Sequence, residues 1–163
     1  MSLTATASNS QTNPVEQAKQ MALRLLTSRP RSRATLVTRL TEKGVAEADA
    51  QTAVDRLAAV GLVDDQALAR NLVHDRHTQR GLVGPALVQE LRRQAIPDDL
   101  AANALAELSE EQVLQQAVKL AARKLAATAG LDKTVQLRRT QAYLARRGYT
   151  MATINQAIAA ARS

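Results

Sequence analysis

The sequence predicts an all-α protein, an elongated array of tandem three-helix repeats whose units look like helix–turn–helix motifs. Three observations predict it. Apolar positions recur at helical spacing almost throughout, and few segments alternate as strands do. The 45% hydrophobic content is mostly Ala, Leu and Val, with no Phe, Trp or Cys and two Tyr, so the core is aliphatic and helix-favouring. One fifteen-residue phrase occurs three times without a gap: "LTEKGVAEADAQTAV" from Leu40, "LRRQAIPDDLAANAL" from Leu91 and "LARRGYTMATINQAI" from Leu144.

Each copy reads the same way. A Leu (Leu40, Leu91, Leu144) ends an apolar stripe, and four residues on the chain turns at Gly44, Ala95 or Gly148. An apolar residue follows at once (Val45, Ile96, Tyr149). Nine residues later comes an inward Val54, Leu105 or Ile158, each preceded by a small Ala (Ala53, Ala104, Ala157) that lets two helices approach closely. The copies are offset by 51 and 53 residues. That period describes units that share apolar faces with their neighbours and present an extended surface rather than a pocket.

The elements follow in order. Residues 1–13 are small and polar and read as a disordered tail. An N-terminal helix over 14–30 carries Val15, Ala18, Met21, Ala22, Leu25 and Leu26 on helical spacing, with Pro14 in its first turn. Ser32 can cap the next helix, which Gly44 stops. Asp49 to Ala58 forms another, ended by Gly61, and Asp64 can cap the one through Leu68, Leu72 and Val73. Pro85 starts a helix with Leu87, Val88 and Leu91, and Pro97 starts one with Leu100, Leu105 and Leu108. "SEEQ" from Ser109 is a capping box opening a long helix through Leu125. After "TAGLD" two helices remain, around Leu137 to Leu144 and Met151 to Ile158. The expected division is repeat 1 at 31–80, repeat 2 at 81–130 and a partial repeat 3 at 131–163.

Charge is unevenly placed. The chain carries 22 Lys and Arg against 15 Asp and Glu, yet after Asp132 there are six basic residues and no acidic one. Such a segment suits a phosphate backbone or an acidic protein surface; the alternative is a solvated face with no partner. Arg29, Arg31 and Arg33 cluster before a helix N-terminus, where cations oppose the helix dipole, which points to an external anion. Arg76 and Arg80 flank the connector "RGLVGP", with Arg92 and Arg93 on the next helix. Arg139 and Arg146, seven apart, share a face turned away from Leu137 and Leu144, and Arg138 and Arg147 widen it. Guanidinium matches carboxylate and phosphate alike, so the target stays open between DNA and acidic protein.

Other chemistries find little support. His74 and His77 can share a helix face, but structural zinc takes four ligands and no others are evident; a solvated helix end is the simpler reading. Asp64 and Asp65 read as a helix start rather than an acid–base pair. "GLVG" from Gly81 lacks the spacing and Lys-Ser/Thr end of a phosphate loop. No catalytic residue, cofactor or metal site is expected. The lack of Phe and Trp argues against a base-stacking reader of single strands. No apolar run approaches the roughly 20 residues of a membrane span, the start of the chain lacks a secretory pattern, and the absence of Cys suits a reducing cytosol.

The phrases "RPRSRATLVTRLTEKGV", "AVGLVDDQALA", "RGLVGPALVQELRRQAI" and "YLARRGYTMATINQAI" together resemble the RecX family, regulators of the RecA recombinase. The resemblance covers Ala18 to the C-terminus. It implies tandem three-helix repeats and a cytoplasmic modulator without enzymatic activity. It further implies binding along the groove of the RecA–single-stranded-DNA filament and depression of ATP hydrolysis, strand exchange and coprotease activity. The arginines named above would then form the surface that meets RecA or DNA, single-stranded or double-stranded, and a monomer is expected. The family usually has an aromatic where Leu62 and Leu68 stand and Gly where Ala95 stands; these look like core substitutions. The other reading is a basic helical repeat that binds DNA nonspecifically. It rests on the helix–turn–helix look of the last copy, although Ala152 to Ala161 offers only Asn155 and Gln156 to base edges.

Overall fold

The computed structural model describes residues 13–163; the rest of the expected N-terminal tail lies outside them. The described residues form nine helices and no strand: α1 (Pro14–Ser28), α2 (Arg33–Glu42), α3 (Glu47–Ala59), α4 (Asp65–Arg80), α5 (Gly84–Arg93), α6 (Asp98–Ala106), α7 (Glu110–Ala127), α8 (Lys133–Arg146) and α9 (Met151–Arg162).

Local signals set the boundaries. Asn13, placed in the tail by the sequence, instead caps α1 by accepting from the Val15 amide, and Pro14 occupies the first turn. The Ser32 hydroxyl accepts from the Thr35 amide at the start of α2. At α7 the box is complete: the Gln112 amide donates to Ser109 Oγ at 3.1 Å, and the Ser109 amide donates to Gln112 Oε1 at 2.9 Å. Asp132 and Thr150 cap α8 and α9 singly, their side chains accepting from the Thr134 and Thr153 amides.

The repeated phrase is one structural device used three times. Gly44, Ala95 and Gly148 all have positive φ, at 92°, 54° and 100°. The amide after each reaches back five residues: Val45 to the Leu40 carbonyl (3.0 Å), Ile96 to Leu91 (3.2 Å), Tyr149 to Leu144 (3.4 Å). This is the Schellman closure, which satisfies orphan carbonyls and turns an apolar residue back onto the last helical turn. Leu40, Leu91 and Leu144 are buried, as are Ala53, Ala104 and Ala157, so paired helices do meet over small residues. Val54 and Ile158 are buried, whereas Leu105 is only half-buried because Ala101 and Ala104 take the innermost places on α6.

The chain divides into two compact units, 1–64 and 65–163. In the described part of the first, α1, α2 and α3 pack pairwise around Ala18, Ala22, Leu36, Leu40, Val54 and Leu57. The second holds two cores. One, around Ala69, Val73, Leu87, Leu91 and Ile96, is built by α4, α5 and α6. The other, around Ala117, Leu120, Leu144, Ile154 and Ile158, is built by α7, α8 and α9 and includes Val83 from the connector. The cores therefore group helices in threes one helix earlier than the divisions at 31, 81 and 131, because α4 and α7 each bury their apolar stripe on the two helices that follow. The N-terminal helix also ends at Ser28 rather than at residue 30. Leu62 is not a core position: it is 55% exposed and its neighbour Val63 goes inward. Leu68 is partly buried against the second core.

In the second unit the connector is pinned to the third repeat. The Val83 amide donates to the Arg147 carbonyl at 2.9 Å. A Cβ at Gly148 would lie 2.0 Å from the Val83 carbonyl oxygen, so only glycine fits there. His77 is buried, with Nδ1 3.1 Å from the Leu82 carbonyl. Its place is inside this joint and not at a solvated helix end; His74 is exposed.

Candidate binding surface

The cationic side chains of the sequence fall into three settings. Around Pro30, Arg29 is the exposed C-cap of α1 and Arg31 is half-buried, its Nε donating to the Leu25 carbonyl at 3.3 Å. Burial, then the charges of Arg29 and Arg39, hold the Arg31 guanidinium below its ordinary pKa. Arg33 is ion-paired with Asp55 of α3. The sequence placed these three against the positive end of α2. In the fold, Arg29 and Arg31 sit at the negative end of α1, where cations are favoured. Arg33 remains in the first turn of α2, where Asp55 supplies its counter-charge.

The second setting is the joint between α4 and α5, beside the connector within the second repeat. Glu90 of α5, with a side chain only 12% exposed, gathers three guanidinium groups. Arg76 Nε lies 3.2 Å from Oε2, while Arg93 Nη1 and Arg80 Nη1 lie 2.9 and 3.5 Å from Oε1. Burial alone would raise the Glu90 carboxyl; the Arg76 hydrogen bond and the charges of Arg80, Arg93 and Arg76 outweigh it and hold the pKa below the usual carboxylate value. Three cations on one carboxylate leave a local excess of two positive charges. Arg92 does not join them: it points to Asp98, 3.7 Å away, with both side chains exposed.

Arg147 extends this cluster. Its Nε donates to the Arg80 carbonyl at 3.2 Å and its Nη1 to the Tyr143 carbonyl at 3.3 Å. The guanidinium lies 3.7 Å from the Tyr143 ring centroid, and Lys124 Nζ lies 5.1 Å from the same ring. Arg147 is thus partly buried as a clamp between repeats and does not widen an exposed face as its spacing suggested. Tyr143, covered by two cations, is the ring that spacing alone did not connect to any arginine.

The third setting is α8. Arg138, Arg139 and Arg146 are exposed, as the helical spacing from Leu137 and Leu144 required, and they make no hydrogen bond or ion pair among the described residues. Arg139 and Arg146 lie two turns apart on one stripe, about 10 Å along the axis.

No group of three or more His, Cys, Asp or Glu suited to a metal occurs among the described residues. His74 lines a cleft of about 210 Å³ with Arg70, Val73, Ala104, Glu107, Leu108 and Gln112, and Arg70 is ion-paired with Glu107 at 3.4 Å. No described helix is long and apolar enough to cross a membrane.

Three successive three-helix cores with arginine-rich exposed positions define the class: an all-helical tandem-repeat protein. The description "RecX, first three-helix domain" matches residues 18–57, the second domain matches 64–105 and the third matches 110–158. The chain belongs to the RecX family. Relatives named "Regulatory protein RecX" include that of Streptomyces coelicolor, 43% identical over 138 residues, covering 85% of this chain and 73% of the relative. The Thermobifida fusca protein is 40% identical, covering 82% and 72%. That of Mycolicibacterium smegmatis is 42% identical, covering 82% and 73%. The crystal structure of RecX from Lactobacillus salivarius superposes with a TM-score of 0.83 at 17% identity, covering 91% of this chain and 97% of that one. A second crystal structure, of a regulatory protein RecX, gives 0.78 at 20% identity, covering 88% and 72%. At those identities the two structures speak for the fold alone.

Proposed function

We propose that this protein is a cytoplasmic regulator that binds the RecA–single-stranded-DNA filament in its helical groove. There it inhibits RecA ATP hydrolysis, strand exchange and coprotease activity, acting as a monomer without chemistry of its own. The observation that carries the reading is the ordered match of all three RecX domains along the chain. Arg138, Arg139 and Arg146 support it, since exposed guanidinium groups without partners among the described residues are available to phosphate or carboxylate.

The test is ATP hydrolysis by RecA on single-stranded DNA with this protein added from a few per cent to equimolar. Groove binding predicts loss of hydrolysis as the protein approaches saturation; strong loss well below equimolar would instead indicate action on the filament as a polymer, such as blocked extension, and unchanged hydrolysis across the range overturns the reading. Charge reversal at Arg138, Arg139 and Arg146 together should weaken filament binding at moderate salt. Undiminished binding removes α8 from the interface.

A further inference from the structure

Glu90 is the most buried member of a cluster that is otherwise cationic, and it sits where a polyanion-binding protein would be expected to avoid an acid. Its two oxygens hold Arg76 and Arg80 from α4 and Arg93 from its own helix. Each guanidinium has five N–H donors in a planar fork, and each meets Glu90 through a single nitrogen. The side chains of Arg80 and Arg93 remain 55% and 63% exposed, so their free donors face solvent. Through the Arg80 carbonyl the cluster continues to Arg147, and through the Tyr143 ring to Lys124. Helices α4, α5 and α7 and the C-cap of α8 thus bring five cations to one joint, with Glu90 as the carboxylate that holds three of them.

We propose that this joint is a binding site for a phosphodiester chain, and that Glu90 is the positioning residue that presents Arg76, Arg80 and Arg93 to it. A run of fixed cations with a large local excess suits a linear polyanion rather than a single charge. Guanidinium forks match phosphate oxygens bidentately. Tyr143 is already covered by Arg147 and Lys124, so the site reads backbone and not bases. Glu90 removes one unit of charge but fixes three long side chains before the ligand arrives. Each immobilised side chain is worth about twofold to tenfold in affinity. The Glu90 carboxylate lies behind the three guanidinium groups it binds, which screen its repulsion of an incoming phosphate. Three held arginines therefore outweigh the charge they lose. The inference rests on the filament reading only in that single-stranded DNA is part of the filament, and its test uses DNA alone.

The experiment is fluorescence anisotropy of a labelled oligothymidylate against the full chain over a range of salt. Glu90→Gln adds a positive charge, yet it should weaken binding about fivefold, and Glu90→Asp should recover part of the loss. Circular dichroism of the tyrosines checks that each variant keeps its fold. Arg93 is on the surface, so Arg93→Gln tests the site without threatening the core. It should lower the slope of log affinity on log salt by about 0.7. Arg70→Gln, which removes the same charge elsewhere in the unit, should leave the slope unchanged. The proposal is overturned if Glu90→Gln binds as tightly as the parent or tighter, or if the two arginine variants behave alike. It is also overturned if polyglutamate competes as well as unlabelled oligonucleotide, which would mark an acidic protein surface as the target. Failure of RecA inhibition with this pattern intact would count against the filament reading and not against the site.

Discussion

Replacing Gly148 with Ala should cost the second unit far more than any other single methyl addition to a glycine turn. The backbone there has φ +100°, outside the left-handed well open to alanine, and such strain costs about 1–3 kcal/mol. The new Cβ would stand 2.0 Å from the Val83 carbonyl oxygen and 3.0 Å from its carbon, so one backbone must move by about 1 Å. That shift breaks the 2.9 Å bond from the Val83 amide to the Arg147 carbonyl, at a residue 4% exposed. Leaving a buried amide without its acceptor costs about 1–3 kcal/mol. The two effects together give about 2–6 kcal/mol. Two substitutions in the same unit calibrate it. Gly130 has ordinary φ and open space around its Cβ position, so Gly130→Ala should change stability by less than about 1 kcal/mol. Ala95 holds φ +54° as a non-glycine residue, so Ala95→Gly should stabilise by about 0.5–1 kcal/mol after the entropy of glycine in the unfolded chain is subtracted. The assay is urea unfolding followed by near-ultraviolet circular dichroism of Tyr143 and Tyr149, both within residues 65–163, so the signal reports this unit. If Gly148→Ala costs no more than about 1 kcal/mol, the contact between the connector and the third repeat is not as described.

Further outcomes follow from the same structure. The Glu90 pKa is depressed by its arginines, so its contribution to stability is present above the ordinary carboxylate value and is lost as pH falls through the depressed one. Acid titration of the tyrosine signal should therefore show a step in the second unit that Glu90→Gln abolishes. The Tyr149 hydroxyl is buried without a hydrogen-bond partner, and burial pushes its pKa up; Tyr149→Phe should leave stability unchanged or raise it by up to about 1 kcal/mol, measured by urea midpoint. Ser109→Ala removes one half of the capping box at α7 and should cost about 1 kcal/mol in the same assay. Asp55→Asn breaks an exposed pair with Arg33 and should cost less than about 1 kcal/mol in thermal unfolding of the first unit.

The repeated phrase was legible because each of its features is local. The glycine or alanine turn after a leucine and its backward hydrogen bond depend on neighbours within about five residues, and the small alanine recurs at one fixed distance from that leucine in all three copies. The exposed face of Arg139 and Arg146 was legible for the same reason, since helical period alone puts it opposite Leu137 and Leu144. Family membership was legible because the phrases fall in the same order as the three domains. The phase of the repeats was harder: spacing shows that a third helix exists but not which neighbours its apolar stripe covers. The arginines around Pro30 were read against the helix that follows, although the preceding helix ends at Ser28 and Arg31 folds back onto its Leu25 carbonyl, a contact that spacing does not encode.

By itself the sequence determined the all-helical class, the helix order, the caps at Ser32 and Ser109 and the concentration of positive charge, because propensity, period and capping act along the chain. Only the tertiary structure decided which charges are spent internally. Glu90 meets Arg76 from fourteen residues away and Arg147 reaches the Arg80 carbonyl across 67. Those pairings depend on how helices pack, and no local pattern encodes them. The same packing made Gly148 obligatory and placed His77 in the joint, since a residue's exposure is set by what is folded against it.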